Sequence, residues 1–322
     1  SFLTSKEGSI ISSFLSFLNN RQFLILISFV ISVIIFSIMA ISLGSYGLSV
    51  IDFLSGKTTS IQNTVLFEIR LPRVVLSALV GASLGISGAA LQGLFRNPLA
   101  DPGLIGVSAG AALGATLVIV VGGELLDVYS IGIFLIPLAA IFGASLVILM
   151  LYLMTKGFGY DGVTYMLLVG IAINAIAGVG IGILTYISSD AELRSLTFWT
   201  MGSFGGVTWP LLIPVIFVIC ASIALMIPYS RKLDLLQLGE SEAYRLGVDV
   251  QKLKYNIILT SAAAVGASVA LSGMIGFVGL VVPHLTRLLG GVNHNFVLIG
   301  SALMGASITV SYTHLRAHET AQ

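Results

Sequence analysis

Two short strings in this 322-residue chain carry the spacing of a serine nucleophile. "GISG" at Gly85–Gly88 fits the G-x-S-G pattern of intramembrane serine proteases, and "GVSAG" at Gly106–Gly110 fits a nucleophile elbow. With His284, which follows Pro283 on a later apolar run, Ser87 would make a nucleophile–base dyad. The dyad needs hydroxyl and imidazole within hydrogen-bond reach, and the elbow needs a strand–turn–helix. In a chain with 36 glycines such strings arise readily by chance, so proteolysis is carried as an alternative. No G-x-x-x-x-G-K-[ST] occurs, so this chain has no P-loop for ATP. There is no H-E-x-x-H. Cys220 stands alone in an apolar run, which leaves no thiolate cluster and no intrachain disulfide. No metal site and no permanently bound cofactor are expected.

The elements that must position any such residue are membrane spans. Hydrophobic residues make up 57% of the chain and charged residues 9%, with a mean hydropathy of +1.05. A soluble domain carries about 25% charged residues, so this chain cannot keep a water-facing surface. The expected fold class is an all-α polytopic membrane protein. The formal charge of +1 gives no footprint for nucleic acid. A span needs about 20 apolar residues. Runs of that kind lie near 23–42, 71–93, 104–121, 131–154, 163–187, 207–228, 255–274, 275–290 and from 296 onward. The split near 274 rests on Gly273 and Gly276.

With a cytoplasmic N-terminus, the inner segments hold Lys6, Arg21, Arg96, Lys156, Arg231, Lys232, Arg245, Lys252, Lys254 and Arg287. Before residue 311 the outer segments hold only Lys57, Arg70, Arg73 and Arg194, so the positive-inside rule favours this orientation. Small residues recur at four-residue spacing at Gly81 and Gly85, then Gly106, Gly110 and Gly114, then Gly170, Gly178 and Gly182. Each series marks a face where a second backbone can approach. Asn174 shares the face of Gly170 and Gly178, where it makes an interhelical hydrogen bond or lines a pathway. Ion-driven carriers usually keep acids or histidines at mid-membrane depth. Their near absence here argues for another energy source or a passive pore.

One segment breaks the apolar pattern. "LDLLQLGESEAYRLGVDVQKLK", Leu233 to Lys254, sits between two spans on the inner side. It predicts a short helix from Glu240 to Leu246, with acids in its first turn and Gly247 as a left-handed cap. Asp249 is placed to N-cap the next span. Ala243 and Leu246 are expected on one face, with Glu240, Glu242 and Arg245 elsewhere. Such a helix, bounded by Gly239 and Gly247, has the form of a docking knob.

"LGESEAYRLGVDV" resembles the coupling-helix segment of permease subunits of ABC importers for iron chelates, heme and cobalamin, the FecCD-like family. "RLPRVVLSALVGASLGISGAALQGLFRNPLADPGLIGVSAGAALGA" (Arg70–Ala115) is similar to that family's second and third spans. "FWTMGSFGGVTW" (Phe198–Trp209) and "GMIGFVGLVVPHLTRLLGG" (Gly273–Gly291) are similar to its external loop and late segment. The resemblance covers about residues 25–310 in order and is closest to heme permeases. It implies a single permease domain over 1–310 in the bacterial inner membrane, working as one of two identical copies. A cytoplasmic ATPase dimer would receive Gly239, Glu240, Glu242, Ala243, Arg245, Leu246 and Gly247, and would use the ATP. A periplasmic or lipid-anchored binding protein would dock its carboxylates on Arg70 and Arg73, a use that suits arginine's planar fork. Arg70 and Arg73 are read as opening the second span, with Pro72 near its start.

The last run stays apolar only from Phe296 to Val310, short for a span, where the family continues into a tenth. "SYTHLRAHETAQ", residues 311–322, resembles foreign sequence at a chain end. Nine spans of ten are therefore expected, and His314 and His318 are given no metal role despite their helical spacing.

Overall fold

A computed structural model describes residues 20–42, 59–125, 128–155 and 162–319, without side chains at 123–133, 155–164 and 314–319. Lys6, Lys57 and Lys156 of the charge argument lie outside these descriptions. Helices follow one another as α1 (Asn20–Ser42), α2 (Ser60–Thr64), a π-turn (Val65–Arg70), α3 (Leu71–Phe95) and α4 (Val107–Leu125). Next come α5 (Val128–Thr155), α6 (Gly162–Ile187), α7 (Asp190–Thr200), α8 (Trp209–Met226) and α9 (Ser230–Leu236). The chain closes with α10 (Glu240–Arg245), α11 (Val250–Ser272), α12 (Val278–Gly290) and α13 (His294–Glu319). Among the described residues there is no strand, so the elbow context expected of "GVSAG" is absent. Seven helical segments are long and apolar enough to cross a membrane, and α4 and α12 are shorter apolar helices. These account for the nine apolar runs of the sequence.

The centre of the bundle is α3. From Val80 to Leu94 nearly every residue is buried, against α13, α11, α12 and α8. Small side chains make this possible. A Cβ on Gly81 would stand 2.2 Å from the Gly305 carbonyl oxygen, and one on Gly85 would stand 2.1 Å from that of Ser301. Thr309 Oγ1 completes the crossing by donating to the Ser77 carbonyl at 2.7 Å. A second group forms around α4, where Gly110 meets Gly143 of α5 backbone to backbone. The glycine series at 81/85 and 106/110/114 is therefore packing.

Three sequence expectations change. The second span begins at Ser60, so Pro72 lies inside a continuous helix running to Phe95. The π-turn just before it absorbs the proline. Leu71 N–H reaches back to the Leu66 carbonyl, while Pro72 has no N–H to offer Phe67. The Trp209 indole N–H donates to that carbonyl instead, at 2.8 Å. Trp209→Phe should lower the melting temperature modestly, by the roughly 0.5–1.5 kcal/mol of one net hydrogen bond, read in a detergent thermal-shift assay.

The run at 275–290 is not a full span. Its helix has 13 residues, about 20 Å against the roughly 30 Å of hydrocarbon. It starts after an irregular segment in which Gly273 and Phe277 both take positive φ. A second irregular segment, Arg96 to Gly106, includes a 3-10 turn at Pro102–Ile105. The two meet beside Leu84, halfway along α3, around a cavity of about 130 Å³ lined also by Asp101, Gly103, Ser108 and Gly276. Irregular backbone at such depth is tolerated only where protein surrounds it.

Finally, α13 does not stop at Val310. It is one helix to Glu319, and its His294–Thr313 part is long and apolar enough to cross. Ser311 and Thr313 turn their hydroxyls onto the carbonyls of Ile308 and Val310, which removes the cost of placing them in lipid. Helical structure thus runs through most of the segment read as a foreign tail.

Candidate functional site

Side-chain bonds sort the basic residues into two ends of the bundle. At one end Arg21 donates to the Leu289 carbonyl, Gln237 to Gly93, and Lys254 pairs with Glu240. Arg96, Arg231, Lys232, Arg245, Lys252 and Arg287 belong to these same segments. Arg70, Arg73 and Arg194 lie at the other end, as does Arg316 near the end of α13. By the positive-inside rule the richer end faces the cytoplasm.

The polar insert forms as its residues dictate. Gly239 (φ 110) breaks the chain after α9, and α10 covers Glu240–Arg245. Gly247 (φ 85) ends it in a full Schellman motif, with Val248 N–H on the Ala243 carbonyl and Gly247 N–H on that of Tyr244. Asp249 caps α11 by accepting from Lys252 N–H at 3.0 Å. Both caps are as the sequence indicates. Asp249→Ala should cost about 1 kcal/mol, seen as a drop of a few degrees in melting temperature. Lys254, almost fully buried, places its ammonium 2.8 Å from both oxygens of Glu240 and fixes the start of α10 to the start of α11.

The faces of α10 differ from expectation. Ala243 is completely buried among Val248 and other core residues, so it seats the helix on its own bundle and offers nothing outward. Leu246 is 57% exposed, and Tyr244 is 62% exposed. Leu246 keeps the helical bond from its N–H to the Glu242 carbonyl at 3.0 Å, but as the C-cap residue it lies at the end of the helix, where the bundle does not cover it. The outward knob is therefore Leu238, Tyr244 and Leu246, rimmed by Glu242 and Arg245, which pair at 3.1 Å. Tyr244 was missed because a phenol at the edge of a polar run reads equally as a solvated side chain.

At the outer end Arg70 and Arg73 part company. Arg70 is turned inward, and its guanidinium donates to the Ile41 and Ser42 carbonyls at the C-terminus of α1. Arg73 lies half-buried beside Gly205 of the external loop. Within the bundle Asn174 donates to the Gly103 carbonyl at 3.1 Å, a bond from α6 to the 3-10 turn, and Gly170 packs on Leu104 and Ile105 of that turn. A Cβ on Gly178 or Gly182 would meet nothing within 4 Å among the described residues. Ser87 is fully buried with no hydrogen-bond partner among the described residues, while His284 is exposed. The Ser87–His284 dyad does not form, and the protease alternative falls with it.

Residues 24–316 match the FecCD transport family. The chain belongs to that family. It is a multi-pass permease subunit of an ABC importer. Among relatives it is 42% identical to the hemin transport system permease protein HmuU of Yersinia pestis, over 87% of this chain and 83% of that one. It is 37% identical to the molybdate import system permease protein MolB of Haemophilus influenzae, with 88% and 84% covered. The vitamin B12 import system permease protein BtuC of Escherichia coli is 40% identical, over 75% of this chain and 72% of that one. The bundle also resembles a solved metal-chelate type ABC transporter in an inward-facing conformation, with a TM-score of 0.79, 32% identity, and 90% and 89% of the chains covered.

Proposed function

We propose that this permease moves heme, or a similar iron chelate, from the outer side into the cytoplasm of a bacterium, as one of two copies in the inner membrane. The observation that carries the substrate class is the outer mouth. There Met201 and Met274 stand exposed and line one cavity with Phe204, Ile275 and Tyr312, an apolar surface with thioether and phenol groups. A flat apolar macrocycle gains from such a surface, and a small oxyanion does not. The 42% identity to a hemin permease points the same way. A separate ATPase dimer binds α10 and supplies the energy; the permease itself is not an enzyme and holds no permanent cofactor. A periplasmic or lipid-anchored binding protein sets a carboxylate on Arg73, with Arg70 holding α1 in place beside it.

The test is uptake into proteoliposomes containing the permease, its ATPase and its binding protein. ATP-dependent heme uptake, lost with an ATPase-dead partner, is the expected result. Uptake of a ferric siderophore or of cobalamin instead would overturn the substrate and keep the mechanism. Uptake that ignores ATP would overturn both.

A further inference from the structure

The residues joining α10 to the rest of the bundle converge on one point, the last turn of α3. Gln237, in the turn between α9 and α10, donates its amide to the Gly93 carbonyl at 2.8 Å. His294, the first residue of α13, lies against the same glycine; a Cβ there would stand 2.4 Å from its Nε2. Asp234 of α9 holds that histidine, accepting its backbone N–H at 3.0 Å and meeting Nδ1 at 2.6 Å. The neighbouring residue, Gln92, is almost fully buried and uses its whole amide. It donates to the carbonyls of Ala100 and Leu280, at 3.3 and 3.2 Å, and accepts from Arg287 at 2.5 Å. Ala100 belongs to the irregular segment after α3, next to Leu99, which is 73% exposed.

We propose that Gln237 and Gln92 are positioning residues that carry displacement of α10 to the Arg96–Asp101 segment and to α12. Three arguments support this. Only Leu238 and Gly239 separate Gln237 from α10, so the chain carries a displacement of α10 directly to the last turn of α9. The two amides grip adjacent residues of a helix end, so a shift at Gly93 is a shift at Gln92. The segment beyond is irregular, and among the described residues its only contact through Gln92 that crosses to another helix is at Leu280 and Arg287 of α12. Such a chain of bonds joins rigid elements to a deformable one, the arrangement that transmits coupling.

The role in coupling rests on the ATP-driven reading above, and the experiment separates the two. In the purified permease alone, amide hydrogen exchange is measured over 97–104, where Ala100 N–H bonds to Asn97 and Leu104 N–H to Asp101. Gln237→Met should raise exchange there about fivefold, a typical effect along such a network, although Gln237 touches none of these residues. In proteoliposomes, Gln92→Met and Gln237→Met should raise ATP consumed per substrate moved about fivefold to tenfold, with total ATPase activity within about twofold of the parent. The double variant should match the worse single, because both lie on one path. Gln237→Lys keeps a donor for Gly93 and should restore most of the coupling. Unchanged exchange over 97–104, additive effects, or transport and ATPase falling together with the melting temperature would overturn the proposal. A parent complex without ATP-dependent uptake would overturn the functional reading and the coupling role, and the exchange result would still decide whether the linkage exists.

Discussion

Changing Tyr244 and Leu246 together to aspartate is expected to release the ATPase while leaving the membrane bundle folded. Both side chains are more than half exposed, and neither supports the core, since Ala243 alone of this turn is buried among core residues. Well-packed apolar anchors at an interface are worth about 2 kcal/mol or more each. Losing two should weaken association roughly a thousandfold. Pull-down of the ATPase by the tagged permease reads the loss, and an unchanged melting temperature shows that the bundle survives. Gly247→Val is the contrasting change. At φ 85 a β-branched residue is strained, so the cap should fail and the knob be misplaced without any outward side chain being altered. Equal binding by the Tyr244/Leu246 variant would show that the ATPase rests elsewhere.

Gly305→Val should be strongly damaging to the bundle. Its Cβ would stand 2.2 Å from the Gly81 carbonyl oxygen and its further methyl groups deeper still, so α13 must part from α3. Overpacking costs about 1–3 kcal/mol in ordinary cores and more when backbone is the obstacle. A loss of about 3 kcal/mol corresponds to roughly 6–12 °C in melting temperature, or to no recoverable folded protein. The Ser77–Thr309 bond lies one turn away and would be lost as well. Gly178→Val, on the same glycine count, should leave the monomer fold intact, since a Cβ there meets nothing. If the two variants melt alike, the α3–α13 crossing is not the tight contact described.

That contrast also shows what the sequence could convey. Gly81, Gly85, Gly110, Gly170, Gly178 and Gly182 look alike in a string, and four-residue spacing marks them equally. Only the neighbouring backbone separates the packed from the open. The same holds for Arg70 and Arg73. The R-x-P-R string presents them as a pair, while the actual start of the helix at Ser60 turns one onto α1 and leaves the other beside the external loop. His284 and Ser87 were plausible partners only until their burial was known.

By itself the sequence determined the class, the places of the apolar runs and the chemistry of the polar insert. Length of apolar run is a local property set by the bilayer thickness, and glycine and aspartate caps are local properties of a few residues. Long matching strings determined the family as well. The tertiary structure decided which face of each element is used. In water, hydrophobicity separates inside from outside, but lipid is as apolar as a protein core and removes that signal. Here the buried spans α3, α11 and α13 are the less hydropathic ones, and α1, the most hydropathic, fully buries only Leu26. Burial follows small and hydrogen-bonding side chains, whose value depends on a partner far away in sequence: Gly81 on Gly305, Gln92 on Leu280, Gln237 on Gly93.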